Sequence, residues 1–433
     1  VRRFQDEVSE RLARVDGVGS EERRRRVGRE IISEVLREHL DDAYQDKRAL
    51  GQPGVTPESE PAYADAVFNA VFGLGRLQPL IDDTTLENIE VYGAEKVEVV
   101  DHRGRRRTLP PIADTEDELV AMLARLAARG GAGERTFTEA TPTLHLTLAG
   151  GHRLAATGWV TGQTVCTIRR HRLIDLGLDD LLEYDTFPRE VAEFLAAAVR
   201  AKRSIVVTGN MDTGKTTLVR ALANEIPPGE KLITIETEYE LHLDKLPDRH
   251  HRVIAFQYRP GSGELGPDGR QLGEYTLERA GYDALRHNGD RVIVGEVRGP
   301  EILQMFEAMQ AGSGTLSTIH ANSARAAIER MVTCAIKVGG HIQEWAYRQI
   351  AEHIDLIVHL DKRDITADDG RRRRQRQVCE VVAITPGEDR HPAVTDVFRR
   401  APSGEVIVGH MPDWVADLAE HGYSPPVPRG GAL

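Results

Sequence analysis

The stretch Gly209-Asn210-Met211-Asp212-Thr213-Gly214-Lys215-Thr216-Thr217 fits the pattern G-x-x-x-x-G-K-[ST]. An apolar run, residues 204–208, precedes it, and a helical run, residues 218–223, follows. Strand, glycine-rich loop and helix in that order let several backbone N–H groups curl inward. The positive end of the helix dipole stands behind them, and together they cradle an anion. Lys215 then reaches the β- and γ-phosphates, and the Thr216 hydroxyl sits on Mg²⁺. Gly209, Asp212, Thr213, Gly214, Lys215, Thr216 and Thr217 are thus expected to bind ATP with its Mg²⁺.

Three further runs end in polar residues. Arg291-Val292-Ile293-Val294-Gly295-Glu296 is an apolar strand closing on an acid. In phosphate-loop enzymes a neighbouring strand delivers a carboxylate to Mg²⁺ or to the attacking water. Glu296, read as ending the strand beside the loop, is predicted for that task. Ile233-Thr234-Ile235-Glu236-Thr237-Glu238-Tyr239-Glu240 is a second strand with acids at its carboxyl end, where open α/β sheets bind ligands. Glu236 and Glu240 can hold a metal-bound water there. The stretch from Gly312 to Asn322 is a third strand ending in polar residues, and His320 at the strand's end is placed for a γ-phosphate contact. The remaining histidines, His250-His251 included, have no ligand spacing, so no metal site built from side chains alone is expected.

These groups need a scaffold, and the chain is long enough, at 433 residues, for two or three domains. Residues 1–56 are a charged helical segment and linker. Val27, Ile31, Ile32, Val35 and Leu36 form one apolar stripe that must dock on something. Gly51 to Pro57 reads as the linker. Residues 57–172 form a small α+β domain with an antiparallel sheet. Val67, Phe68, Val71 and Phe72 suit a helix face ending at Gly73. Strands cover residues 88–92 and 97–100, and Thr115-Glu116-Asp117-Glu118 is a capping box for a helix over residues 119–128. Gly130-Gly131-Ala132-Gly133 ends that helix. Residues 173–433 alternate strand and helix, which predicts a largely parallel sheet covered on both faces. Residues 173–185 form the crossing, and Asp185 or Thr186 can cap the next helix, with Pro188 in its first turn. A β-rich extension follows Arg376.

Composition bounds the function. A formal charge of −12 with 5% aromatics argues against a general nucleic-acid binder, and basic-aromatic interleaving is lacking. Arg23–Arg26 and Arg371–Arg374 read as a solvated helix face and a loop. Cys166, Cys334 and Cys379 lie far apart, without metal or disulfide spacing, which fits a reducing compartment. No apolar stretch reads as a signal peptide or membrane span, so a cytoplasmic protein reaching a membrane only through partners is expected.

Together these stretches resemble the ATPases of type II and type IV secretion systems, in particular their CpaF-like pilus-assembly branch. Phe72-Gly73-Leu74-Gly75-Arg76-Leu77-Gln78-Pro79-Leu80 resembles the entry to that family's N-terminal domain. Residues 236–241 resemble its acidic box, residues 285–299 its L-R-x-x-P-D-R-I-I-V-G-E-V-R-G run, and residues 317–322 its histidine box. The resemblance implies an RecA-like ATPase domain behind an N-terminal α+β domain, assembled as a hexameric ring with nucleotide between the two domains. It implies an inner-membrane platform protein as partner and a place at the cytoplasmic face of the membrane. It also implies arginines at the phosphates: Arg153, Arg169, Arg259 and Arg298. Lys215, Glu240, Glu296 and His320 would be catalytic, and Thr216, Glu236 and Glu240 would face the metal. Three departures from the family pattern stand out. Asn210-Met211-Asp212 replace the usual loop centre, Thr237 replaces an Asp, and Gly289 replaces a Pro. Asp212 brings a carboxylate among phosphates, repulsive unless its side chain points away. Two alternatives follow: a nucleotide-binding scaffold with weak or lost turnover, and a nucleic-acid translocase, which the acidic composition disfavours.

Overall fold

The computed structural model describes residues 2–15, 21–49, 60–101, 104–129, 136–170, 175–259, 261, 265–267, 269, 271–312, 314–340, 342–366 and 372–424. The expected linker at 51–57, the glycines at 130–133 and Arg371 lie outside the described residues. The chain divides into two compact units, Val1–Arg172 and Leu173–Leu433.

The first unit opens with helices α1 (Arg2–Ala13), α2 (Glu21–Ala49) and α3 (Glu60–Phe72). Ile31, Ile32, Val35 and Leu36 of α2 bury against Val8 and Leu12 of α1 and Val67 of α3. The apolar stripe therefore docks within its own chain, and α3 packs with α1 and α2. Gln5 Nε2 donates to Ala70 O at 3.1 Å, and Arg11 pairs with Glu38 at 2.7 Å. Arg23–Arg26 are exposed on α2.

After α4 (Gln78–Asp82) come β1 (Leu86–Tyr92), β2 (Lys96–Asp101), β3 (Arg106–Leu109), α5 (Glu116–Arg129), β4 (Thr143–Thr147), β5 (Arg153–Thr157) and β6 (Val165–Arg169). The strands form one sheet in the order β3-β2-β1-β6-β5-β4. All its pairings are antiparallel. Alternation along β4 and β5 buries Leu144, Leu146, Leu154 and Ala156 on the face that holds Leu119 and Leu123 of α5. Thr115 Oγ1 accepts from Glu118 N at 3.2 Å, so this helix begins where the capping box placed it.

The second unit holds α6 (Leu178–Glu183), α7 (Arg189–Arg200), β7 (Ile205–Gly209), α8 (Lys215–Ala223), β8 (Leu232–Glu236), β9 (Val253–Gln257), α9 (Leu277–Arg286), β10 (Arg291–Val297), α10 (Glu301–Gln310), β11 (Leu316–Ile319), α11 (Ala324–Val338), α12 (Gln343–His353), β12 (Leu356–Thr366), β13 (Arg372–Pro386), β14 (Pro392–Arg400) and β15 (Val406–Val408). Its sheet runs β15-β14-β13-β12-β7-β11-β10-β8-β9. The six strands from β12 to β9 are parallel, and β13 to β15 continue it antiparallel. Helices cover both faces. Ile205 and Val207 point to the cluster that includes Phe194, Leu195 and Leu222, while Val206 points to Met305, Phe306 and Met331. Burial of β7 on both faces explains its unbroken apolar run.

Two expectations need correction here. Neither Asp185 nor Thr186 caps α7. Pro188 is its N-cap, and Asp185 turns its carboxylate to Gln375 Nε2 at 2.9 Å. Residues 372–374 are not loop; they pair with residues 364–366 in the long β12–β13 hairpin.

Arg291 is wholly buried where β10 starts. Its Nε meets Glu230 Oε2 at 2.6 Å and its Nη1 donates to Val199 O at 2.8 Å, tying the ends of α7 and β10 together. Gly314, at φ +62°, lets the chain pass over this pair. A Cβ there would stand 2.5 Å from Arg291 Nη1 and 2.7 Å from Lys202 Cα. Gly314→Ala is therefore expected to cost about 2–4 kcal/mol, from left-handed strain plus overpacking. Urea unfolding measures it, and an unchanged midpoint would show that the neighbouring backbone yields freely.

Candidate functional site

Every group singled out on the second unit's strands stands at the carboxyl edge of its parallel sheet, where open α/β sheets bind ligands. The phosphate loop follows β7, His320 follows β11, Glu296 is the penultimate residue of β10, and Glu236 closes β8. The strand order corrects one expectation. β10 does not adjoin β7; β11 lies between them. His320 is thereby interposed between the loop and Glu296, and bridges them.

Lys215 opens α8 and is 7% exposed. Its Nζ donates to Asn210 O at 2.9 Å and meets His320 Nδ1 at 3.1 Å. An ammonium has donors only, so Nδ1 is the acceptor and the imidazole proton sits on Nε2. That Nε2 lies 2.8 Å from Glu296 Oε1. Glu296 Oε2 in turn receives Arg298 Nη2 at 2.6 Å. The result is a continuous chain, Lys215–His320–Glu296–Arg298, across three elements.

The backbone aims Glu296 into this chain. The β10–β11 register breaks between Val294 and Val297, which frees Gly295 and Glu296 from the ladder. Such a bulge redirects a side chain. Thr318 Oγ1 fixes it by donating to Gly295 O at 2.8 Å. Gly295 carries no side chain because Glu236 packs on it: a Cβ would lie 2.9 Å from Glu236 Cγ.

The two acids are pushed in opposite directions. Burial works to raise the pKa of Glu296, but hydrogen bonds from His320 and Arg298 and the Arg298 charge prevail and hold it at about 2. Burial alone dominates Glu236, which is 2% exposed and is pushed up to about 7. Its Oε1 accepts from Glu240 N at 3.0 Å and Leu241 N at 2.9 Å, while its Oε2 is buried with no hydrogen-bond partner among the described residues. Beneath the acids lies Arg220, which burial pushes down to about 10 and which donates to Glu240 O. Thr216 Oγ1 donates to Glu240 Oε2 at 3.1 Å. Thr216, Glu236, Glu240, Glu296 and Arg298 line one small cleft. The Thr216 hydroxyl and the Glu240 and Glu296 carboxylates in this cleft are oxygen donors of the kind that suit Mg²⁺.

Other predicted residues are placed differently. Arg153 and Arg169 belong to the first unit and face each other in register on β5 and β6. Arg259 follows β9, the sheet's outer strand, and its Nε donates to Gly273 O at 2.9 Å. Thr237 donates to Glu301 Oε1 at 3.1 Å. Glu301 also receives Gly299 N at 2.8 Å, so it shapes the turn that carries Arg298. Asp212 adopts φ +60°, and its carboxylate meets Lys362 Nζ at 2.5 Å and Arg376 Nη2 at 2.9 Å. Lys362, Arg376, Arg220 and Glu301 were not singled out from the sequence. Only Arg376, at the end of an arginine-rich run, left a trace there.

Glu236 makes stability depend on pH. Its folded pKa, about 7, lies above the ordinary carboxylate value, so the folded state binds the extra proton between roughly pH 4.5 and 7. Stability from this group is present below pH 4.5 and declines as pH rises through 7, by about 3 kcal/mol at most. Glu236→Gln is expected to flatten the urea-unfolding midpoint between pH 5 and 8. A variant with the wild-type slope would place the titration on another group.

The family model described as "Type II/IV secretion system protein" matches residues 144–391, more than half of the chain. An uncharacterized protein of Methanocaldococcus jannaschii is 31% identical over 282 residues, covering 64% of this chain and 48% of that protein. The type IV secretion system protein PtlH of Bordetella pertussis is 35% identical over 187 residues, 42% of this chain and 51% of PtlH. The chain thus spans about half the length of either relative. The ATPase DotB of Legionella pneumophila is 18% identical, with a TM-score of 0.49 over 71% of this chain and 79% of DotB. With the phosphate loop, the acidic box and the histidine box all inside the matched span, the chain belongs to the type II/IV secretion system protein family.

Proposed function

We propose that this chain is a Mg²⁺-dependent ATPase motor for pilus assembly of the CpaF-like kind or for type II/IV secretion. It works as a hexameric ring at the cytoplasmic face of a membrane, docked on an inner-membrane platform protein, without nucleic acid. Among the described residues no helix is long and apolar enough to cross a membrane, so the partner supplies the anchorage in this reading. The hydrogen-bonded chain Lys215–His320–Glu296–Arg298 carries the proposal. It links the lysine that faces the β- and γ-phosphates to the acid that faces water, so occupancy at one end is felt at the other.

The residues divide the task. Backbone N–H groups of the loop and the start of α8 receive the phosphates. Thr216, Glu236 and Glu240 would hold Mg²⁺, which would supply positive charge to offset that of the polyphosphate. Glu296 stays ionised at every working pH, because it titrates at about 2. A base that weak does not keep a proton; it accepts a hydrogen bond from the attacking water and orients it. Lys215 and Arg298 place positive charge at the transferring phosphoryl group, and Arg153 and Arg169 are proposed to add to it. His320 reports the state of Lys215 to Glu296. Capture of Asp212 by Lys362 and Arg376 supports turnover over the inert-scaffold reading, whose main argument was that carboxylate.

Glu296→Gln is expected to keep ATP-analogue affinity within about threefold and to lose about a hundredfold or more in turnover, the scale of a lost transition-state contact. Phosphate release and analogue titration on the full chain measure both. Near-normal turnover would move the catalytic role to Glu240. In the same assay Arg153→Ala and Arg169→Ala should lower turnover, and wild-type rates would remove them from the site.

A further inference from the structure

The phosphate loop carries an acid at its centre, and the structure shows what restrains it. Lys362 on β12 and Arg376 on β13 face each other in register. Both reach the loop from the β12 side of β7. Asp212 Oδ2 meets Lys362 Nζ at 2.5 Å, and Asp212 Oδ1 meets Arg376 Nη2 at 2.9 Å. Arg376 Nε also donates to Asp212 O at 3.1 Å, so one guanidinium grips both side chain and backbone. The Arg376 stem lies over Gly214, 3.5 Å from where a Cβ would stand. Asp212 itself sits in the left-handed region, a conformation Asp adopts more readily than most residues.

The direction of this clasp matters. In the sheet, β12 and β13 lie on one side of β7, while β11 and β10, with His320 and Glu296, lie on the other. The carboxylate is thus drawn away from the edge where the Lys215–His320–Glu296 chain runs. A freed carboxylate would sample the loop's concave face, lined with N–H groups that attract any anion. There it would compete with a phosphate.

We infer that Lys362 and Arg376 are positioning residues of the phosphate loop: they hold the Asp212 carboxylate on the β12 side and so keep an acid-bearing loop open to polyphosphate. The inference rests on the nucleotide-binding reading of this site. The cations that accommodate Asp212 come from a hairpin far along the chain.

The test separates orientation from plain charge. Removing the Arg376 charge weakens attraction to phosphate by the same factor whether residue 212 is charged or not. Only the orienting role makes the two losses differ. The experiment is titration of the full chain with a non-hydrolysable ATP analogue and Mg²⁺ at low salt. Arg376→Gln is expected to weaken binding about fivefold more in the Asp212 chain than in the Asp212→Asn background, the scale of a partly exposed charge pair. Lys362→Gln should behave alike. Arg376→Lys, which keeps the charge, should recover most of the affinity, a rescue that a packing role would not give. Melting temperatures show whether each variant is folded, and Lys362→Gln with Arg376→Lys carries the test if Arg376→Gln is not. Equal losses in both backgrounds would overturn the positioning role while leaving the nucleotide site intact. A folded wild-type chain that binds no analogue would overturn the nucleotide reading and this inference with it.

Discussion

An ammonium group with almost no access to water must find acceptors, and Lys215 imposes that condition on the whole site. Asn210 O supplies an acceptor from the loop itself, and His320 Nδ1 supplies a second beyond the end of β11. The second acceptor fixes the imidazole tautomer, and the tautomer fixes a donor toward Glu296. One desolvated charge therefore sets the tautomer of a histidine and the hydrogen bond of an acid two strands away. The sheet order makes this possible, since β11 stands between β7 and β10 and its end residue spans the gap. A different order would leave Glu296 without its bridge to the loop.

The acids show how one cleft gives two carboxylates unlike roles. Glu296 is fastened by His320 and Arg298 and stays charged, whereas Glu236 lies behind Gly295 with one oxygen unpartnered among the described residues and is pushed up to about 7. Environments that drive two neighbouring groups apart are a recurrent means of assigning such tasks. Within the proposed mechanism the first orients water. Burial holds the second neutral up to about pH 7.

Much of this was legible in the sequence wherever the signal was local. The phosphate loop, the acid-ended strands and the capping box at Thr115 each need only a few consecutive residues to be recognised. The apolar stripe of α2 announced a docked helix, and its partners proved to be α1 and α3. Strand order was not legible, because it depends on which distant segments pair; hence Glu296 was read as lying directly beside the loop. The helix start at Pro188 was misread for a related reason. Asp185 had a second suitor in Gln375, remote in sequence and close in space. The same holds for Lys362 and Arg376, whose meaning lies in a hairpin register and in one loop carboxylate some 150 residues earlier.

The central claim is that Lys215 and the groups chained to it form a working ATP site. Steady-state phosphate release from ATP by the purified full chain, with and without Mg²⁺ and beside Lys215→Ala, tests it most directly. The account predicts Mg²⁺-dependent release by the wild type and its near-complete loss in the variant. Release that persists at the wild-type rate in Lys215→Ala, or a folded wild type that releases none while binding ATP, would contradict it.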